Sequence, residues 1–531
     1  MKSIRKPALA LIVSAVAVTS LAACAGGGGT ASTSANYVDG KPFTLALAAD
    51  PGNLDPQASA VSALFALTHF AYDPLVNVDA KGKVSSGLAK EWKLDGTTAT
   101  FTLKSGVTCS DGSTFTAKTA ADNVTWVEDP ANKSPFLGAF IPAGITAADD
   151  SSAGTVTLTL STPAPFLLQS LANLPMVCDA GLADRSKLAT ATLGTGPYVL
   201  SEAVPNDHYT YKVNKKYTWG PGGASTSAKG TPATVTAKII TNETTAANLL
   251  LSGQVNSAQI LGPDADRLAK AKLFSQDTPA LIGEQWYNNS AGHPTSDPAV
   301  RMALTQAVDL GELQKVLTSG KGVAATSFAV IPPVGCAVDS VSAALPKKDV
   351  SAAKAGLDAA GWKVGSDGIR VKDGVKLNLT FIYDSSLGAG GTAASELATK
   401  AWEAIGAKVT AAQNDETAVS AALFGTGAWD ISWEPLNVNS PDQLVGFLSG
   451  PAAPKGTNFA NIQNADYSSA VAKAMTMNGT DGCQTWADAE SALVKAADVV
   501  PFANNIVKTF GKGATFQAVG GIVPTSIRML G

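Results

Sequence analysis

Leu377-Asn378-Leu379-Thr380-Phe381-Ile382-Tyr383 alternates apolar and polar positions over most of its length, and so reads as a β-strand. A helical stretch follows from Thr392 to Ile405, and Val409 then opens another strand. A strand, a helix and a second strand in that order place parallel neighbours in one sheet with helical cover. The pattern extends outward in both directions. Ahead of it, Asp297-Pro298 opens a helix whose Val300, Ala303, Leu304, Ala307 and Val308 recur at helical spacing. Asp349 caps a helix over 350–360, and late helices cover 467–477 and 484–497. The second half is therefore α/β.

The first half is richer in strands. Phe43-Thr44-Leu45-Ala46-Leu47 alternates and ends in the loop Pro51-Gly52-Asn53-Leu54-Asp55-Pro56. Further strands fall at 98–103, 155–160, 209–213 and 234–240. Asn242 caps a helix over 243–251 that stops at Gly253. No internal repeat of 20–50 residues is present.

The N-terminus reads as an export leader. Lys2, Arg5 and Lys6 precede an apolar run from Pro7 to Val18, too short for a membrane span. Leu21-Ala22-Ala23-Cys24 closes it, followed by Ala25 and four glycines. This arrangement resembles a bacterial lipobox. Residues 1–23 are thus expected to be a lipoprotein signal peptide, Cys24 the lipidated N-terminus, and 24–40 a flexible tether. Diacylation would hold the body on the outer face of the bacterial cell membrane. Ordinary signal cleavage, with Cys24 there by accident, is the alternative.

Losing the leader removes three of the 39 basic residues and none of the 43 acidic ones, a net of about −7. With no Lys/Arg cluster anywhere, nucleic-acid binding has no support. No second apolar run approaches ~20 residues. The remaining cysteines are Cys109, Cys178, Cys336 and Cys483, an even number for an oxidising compartment. Four cysteines allow three pairings. Two lie in each half, so if each half is its own lobe, Cys109–Cys178 and Cys336–Cys483 follow. Free buried thiols are the other possibility.

Catalytic signatures fail. Ser351-Ala352-Ala353-Lys354 matches a Ser-x-x-Lys motif without its Lys-Thr-Gly and Ser-Asp-Asn partners, and helix start explains it better. His69, His208 and His293 are far apart in sequence, so neither a catalytic metal nor a cofactor is expected. In Gly194-Thr195-Gly196-Pro197-Tyr198 the proline removes an N–H that a phosphate cradle would need, which favours a turn between domains. No enzyme is indicated.

Ordered landmarks carry a resemblance. These are Asn53-Leu54-Asp55-Pro56, Tyr72-Asp73-Pro74-Leu75-Val76, Leu88-Ala89-Lys90-Glu91-Trp92 and Phe101-Thr102-Leu103-Lys104-Ser105-Gly106-Val107. Ser110-Asp111-Gly112-Ser113-Thr114-Phe115-Thr116-Ala117, Gly194–Tyr198, Arg301-x-Ala303-x-x-x-Ala307-x-Asp309 and Ala360-Gly361-Trp362 continue the series. The chain resembles the family 5 extracytoplasmic solute-binding proteins of ABC importers, the peptide, nickel and opine group. The resemblance implies a two-lobed α/β periplasmic-binding-protein-like fold of type II with ligand between the lobes. It places lobe one at 41–285, with an inserted subdomain at 76–193 and a C-terminal return at 506–531, and lobe two at 286–505. Crossings fall near Gln285-Trp286-Tyr287-Asn288 and Phe502-Ala503-Asn504. It implies a monomer that delivers solute to permease subunits.

The ligand residues follow from the same layout. Trp429-Asp430-Ile431-Ser432-Trp433-Glu434-Pro435 stands where relatives turn from a lobe-two strand into the cleft. Peptide-binding relatives often place an aspartate shortly after that strand, on the peptide ammonium. Here Leu436-Asn437-Val438-Asn439-Ser440 carries no acid. Either Glu434 takes that role or the ligand lacks a free amine. Trp429, Trp433 and Trp286 offer indole faces for stacking, although an aromatic in a strand is more often core. Asn437, Asn439, Asn458 and His69 complete the candidate set. An oligopeptide is the expected solute. An oligosaccharide, opine or nickel chelate is the alternative, and an exported hydrolase the third reading.

Overall fold

The alternating segment at 377–383 is a strand in the computed structural model, Asn378–Asp384, buried on both faces from Phe381 onward. Leu379, Phe381 and Tyr383 enter one core and Ile382 another. The structure describes residues 36–59, 61–79, 82–477 and 479–531. The expected leader, Cys24 and the tether up to residue 35 lie outside the described residues.

The principal strands are β1 (Phe43–Leu47), β2 (Ala89–Asp95), β3 (Thr98–Leu103), β4 (Thr146–Asp150), β5 (Thr155–Thr159), β6 (Tyr198–Val204) and β7 (His208–Val213). They continue as β8 (Thr234–Ile239), β9 (Ser257–Ile260), β10 (Phe274–Tyr287), β11 (Asn378–Asp384), β12 (Lys408–Asn414), β13 (Ile431–Trp433) and β14 (Val499–Gly511). A 10-stranded sheet runs β12-β11-β13-β10-β14-β9-β1-β8-β7-β6, and a separate 4-stranded sheet runs β2-β3-β5-β4. The first sheet is mixed. β1 is parallel to β8 and β9, and β11 is parallel to β12 and β13.

Two long antiparallel strands, β10 and β14, join the two ends of that sheet, from Phe274↔Gly511 to Trp286↔Val499. Their pairing slips between Leu281 and Gly283 and again between Gly283 and Glu284. A Cβ on Gly283 would come within 2.6 Å of the Phe502 ring, so this irregular point needs glycine. On one side of the slip β9 adds to β14, and on the other β13 adds to β10.

The cores divide the same way. Phe43, Phe70, Tyr198, Tyr211 and Val235 pack with Phe516 and Met529 near the C-terminus. Leu379, Phe381, Trp402, Trp433 and Phe502 pack beyond the slip. A second cluster there includes Trp286, Phe328, Phe459 and Trp486. The small sheet has its own core around Phe101, Val124 and Leu158.

Local signals explain the helices. Asn242 Oδ1 accepts from Thr245 N–H at 2.8 Å, and Gly253 ends that helix with φ 79. Asp349 Oδ1 accepts from Ala352 N–H at 2.8 Å, which accounts for Ser351 and Lys354 as an ordinary helix start. The helix expected from Thr392 begins earlier, at Gly388. Its glycines weaken the signal but serve packing, because a Cβ at Gly390 would meet the Leu317 carbonyl oxygen at 2.3 Å. Gly196 is likewise pressed against the Ala71–Tyr72 backbone, so this turn is packed against chain.

Both disulfides form as expected, Cys109–Cys178 with Cα atoms 6.2 Å apart and Cys336–Cys483 with 5.2 Å. Among the described residues no helix is long and apolar enough to cross a membrane.

Candidate ligand cleft

Strand direction marks a candidate cleft. Gln285 on β10 is opposite Trp433, and Tyr287 is opposite Ile431, so β13 runs back toward the slip at Gly283. Parallel β11 and β12 point the same way, with Asp384 opposite Asn414 at their ends. On the other side, β9 runs from Ser257, opposite Gly511, to Ile260, opposite Lys508, also toward the slip. β1 and β8 run parallel to it. Two sets of strand carboxyl ends therefore face each other across the crossing strands. In open α/β sheets, ligands bind outside those ends.

Three carboxylates gather on the β11–β13 side. Asp384 ends β11, Glu416 opens the short helix Glu416–Ala421, and Glu434 follows β13. Asp384 Oδ1 accepts from Ser386 N–H at 2.5 Å. Glu434 is half-buried, and no described residue hydrogen-bonds or ion-pairs with its carboxylate. Burial pushes its pKa up to about 8, and the charges of Asp384 and Glu416 add to the rise. Glu284, fully buried on β10, is also pushed up to about 8, chiefly by burial, with Glu434 and Glu490 adding to it. Its Oε2 accepts from Leu436 N–H at 2.8 Å and Trp286 Nε1–H at 3.2 Å, while Oε1 has no partner. With no cation beside them, burial holds both acids toward the protonated form. A cation entering beside Glu434 would displace its proton and meet a carboxylate.

The other sequence-named residues lie as follows. Trp433 is fully buried against Phe381 and Phe502 and donates to Gln285 Oε1 at 3.1 Å. Trp286 is fully buried on Phe459, donating to the Glu434 carbonyl at 2.8 Å. Trp429 is also buried, 6.0 Å from Phe459. Asn458 is buried and closes its own turn by donating to Gly450 O and Ile462 O, each at 3.0 Å. Asn437 binds the backbone of Leu281. Asn439 holds a buried Oδ1 with no partner. His69 is half-buried beside Gly521, and burial pushes its pKa down. Thus Glu434, Asn439 and Trp429, whose buried Nε1–H has no partner, retain uncommitted polar groups, while the indoles of Trp433 and Trp286 are spent on packing and hydrogen bonds. Sequence reasoning missed Asp384 and Glu416, and the signal was the end of the strand from Leu377. No group of three or more His, Cys, Asp or Glu side chains among the described residues is arranged to hold a metal.

The family model "Bacterial extracellular solute-binding proteins, family 5 Middle" matches residues 83–452. The chain belongs to this family. Several relatives agree. The nickel-binding periplasmic protein of Escherichia coli K12 is 29% identical over 71% of this chain and 72% of its own. The murein peptide-binding protein MppA of the same organism is 25% identical over 85% of each. Protein XP55 of Streptomyces lividans is 31% identical, but the match spans about half its length, 52%. Among solved structures, a substrate-binding protein from Microbacterium hydrocarbonoxydans complexed with 4-hydroxybenzoate hydrazide superposes with a TM-score of 0.77 at 24% identity. It is covered completely, with 92% of this chain. The Bacillus subtilis oligopeptide-binding protein AppA, in complex with a nonapeptide, gives 0.78 at 18% identity, covering 93% of this chain and 100% of its own. The two-lobed architecture of family 5 binding proteins is therefore the fold of this chain, and its relatives are binding proteins rather than enzymes.

Proposed function

We propose that this family 5 protein is the lipid-anchored capture component of an ABC importer. It binds an oligopeptide between its lobes and hands it unchanged to permease subunits in the membrane. The observation that carries the reading is Glu434, a half-buried carboxylate without a partner at a strand carboxyl end, flanked by Asp384 and Glu416. A peptide's N-terminal ammonium is the charge such a site would accept. Asn439 Oδ1, buried and unpartnered, can accept from a peptide N–H. The crossing strands with their slip at Gly283 are the element on which the lobes would close, ligand contacts on both lobes favouring the closed state. Lobe one is taken as 41–285 with the 506–531 return, its subdomain as 76–193, and lobe two as 286–505.

Calorimetry of the lipid-free body with a diverse peptide library tests this directly. Glu434→Gln should weaken peptide binding by at least about tenfold. N-acetylating the peptide should weaken wild type similarly and the variant little further. No heat with peptides, but clear binding of an uncharged oligosaccharide or a nickel chelate, would replace the peptide reading with the other solute.

A further inference from the structure

We infer that Phe166 and the loop around Gly335 form an apolar latch between the lobes, separate from the ligand. Phe166 follows the small sheet, and its neighbours Leu167 and Leu171 belong to that sheet's core. Phe166 itself does not. Its ring is 1% exposed and lies in the opposite lobe's cluster with Phe328, Cys336, Val341 and Leu444.

The socket is closely fitted. A Cβ on Gly335 would stand 3.0 Å from the Phe166 ring and 3.1 Å from Ser440 Cβ, so any side chain there would press the ring or Ser440 aside by a few tenths of an ångström. The loop is held in place independently of Phe166. Gly335 N–H donates to Asn439 O at 2.6 Å, and Ile331 N–H to Val438 O at 3.1 Å. The Cys336–Cys483 disulfide ties it to the helix Cys483–Lys495. Nearby, a Cβ on Gly82 would meet Pro333 Cβ at 3.5 Å, a second point where this loop approaches the chain beside the small sheet.

One exposed ion pair is weaker. Lys321 and Asp266 pair across the lobes at 2.8 Å but are 40% and 61% exposed, and exposed pairs contribute little. The buried ring contributes more, since opening returns its apolar surface to water. The latch therefore favours closure before any ligand arrives. It sets the fraction of molecules ready to hold solute, and so tunes apparent affinity without touching solute.

Small-angle scattering of ligand-free protein, stripped by unfolding and refolding, reads the closed fraction as radius of gyration. Phe166→Ala should shift the equilibrium toward the open form by at least about tenfold and enlarge the radius. Gly335→Val, which fills the socket and leaves Phe166 intact, should give the same enlargement. Phe166→Leu, the gentler variant should alanine fail to fold, should fall between. Cooperative melting of each variant verifies the fold. An unchanged radius in folded Gly335→Val and Phe166→Leu would overturn the latch.

Discussion

Asn437 binds both backbone groups of Leu281, its Oδ1 accepting from the N–H at 2.9 Å and its Nδ2 donating to the carbonyl at 3.0 Å. The side chain acts as a one-residue strand on β10, immediately before the pairing slips. Leu281 is fully buried, so its backbone groups need these partners.

Asn437→Ala should therefore destabilise the protein by about 1–3 kcal/mol, the cost of leaving buried backbone groups unpaired. Urea unfolding with an unchanged m-value measures it. A ligand-contact role alone would predict lost affinity at unaltered stability.

The Cys336–Cys483 bridge closes a sequence separation of 147, and Cys109–Cys178 one of 69. Replacing both cysteines of either pair by serine should cost about 2–5 kcal/mol. Thermal unfolding of the two double variants against wild type checks this.

Much of the fold is legible in the sequence because its signals are local. Alternation marks β1, β3, β5 and β11, and Asn242, Asp349 and Gly253 mark helix ends. The start of the helix at Gly388 is hidden, since glycine's low propensity conceals a close approach to Leu317. The site is less legible, because a tryptophan in a strand reads the same whether it lines a cleft or fills a core. Trp433 and Trp286 are committed to Phe381 and Phe459 by contacts far away in sequence. Asp384 is within reach of the strand-end rule, because its strand is plain in the sequence. Phe166 has no such signal, since the residues that bury it, such as Phe328, Val341 and Leu444, lie far along the chain.

On the proposed lipid anchor, Cys24→Ala in Leu21-Ala22-Ala23-Cys24 should release the body from the membrane. Fractionation after a high-salt wash decides it, and a variant that stays membrane-bound would defeat the anchor.

Stability should fall as pH rises from 5 to 8. Glu284 keeps its proton in the folded state up to about 8, whereas the unfolded chain releases it near 4.5. Its contribution is complete below 4.5 and is lost as pH climbs through 8, up to about 5 kcal/mol at about 1.36 kcal/mol per unit. Glu490, raised to about 7 chiefly by burial, acts in the same direction. Glu284→Gln should flatten the pH dependence of the melting temperature. An identical slope in wild type and variant would assign the dependence elsewhere.

The pH dependence of peptide affinity should be bell-shaped with its maximum near pH 8. Binding through an ammonium–carboxylate pair requires Glu434 ionised, and its pKa without ligand is about 8. Below that value affinity should fall about tenfold per pH unit, with one proton released for each peptide bound. Above it the peptide's own α-amino group, with an ordinary pKa of about 7.7–8.0, loses the charge that the site accepts. Calorimetry in buffers of different ionisation enthalpy counts the proton directly. Glu434→Gln should abolish the acidic limb and the proton release while leaving the alkaline limb. A profile flat from pH 5 to 7 in wild type would mean that Glu434 does not meet the ligand's charge.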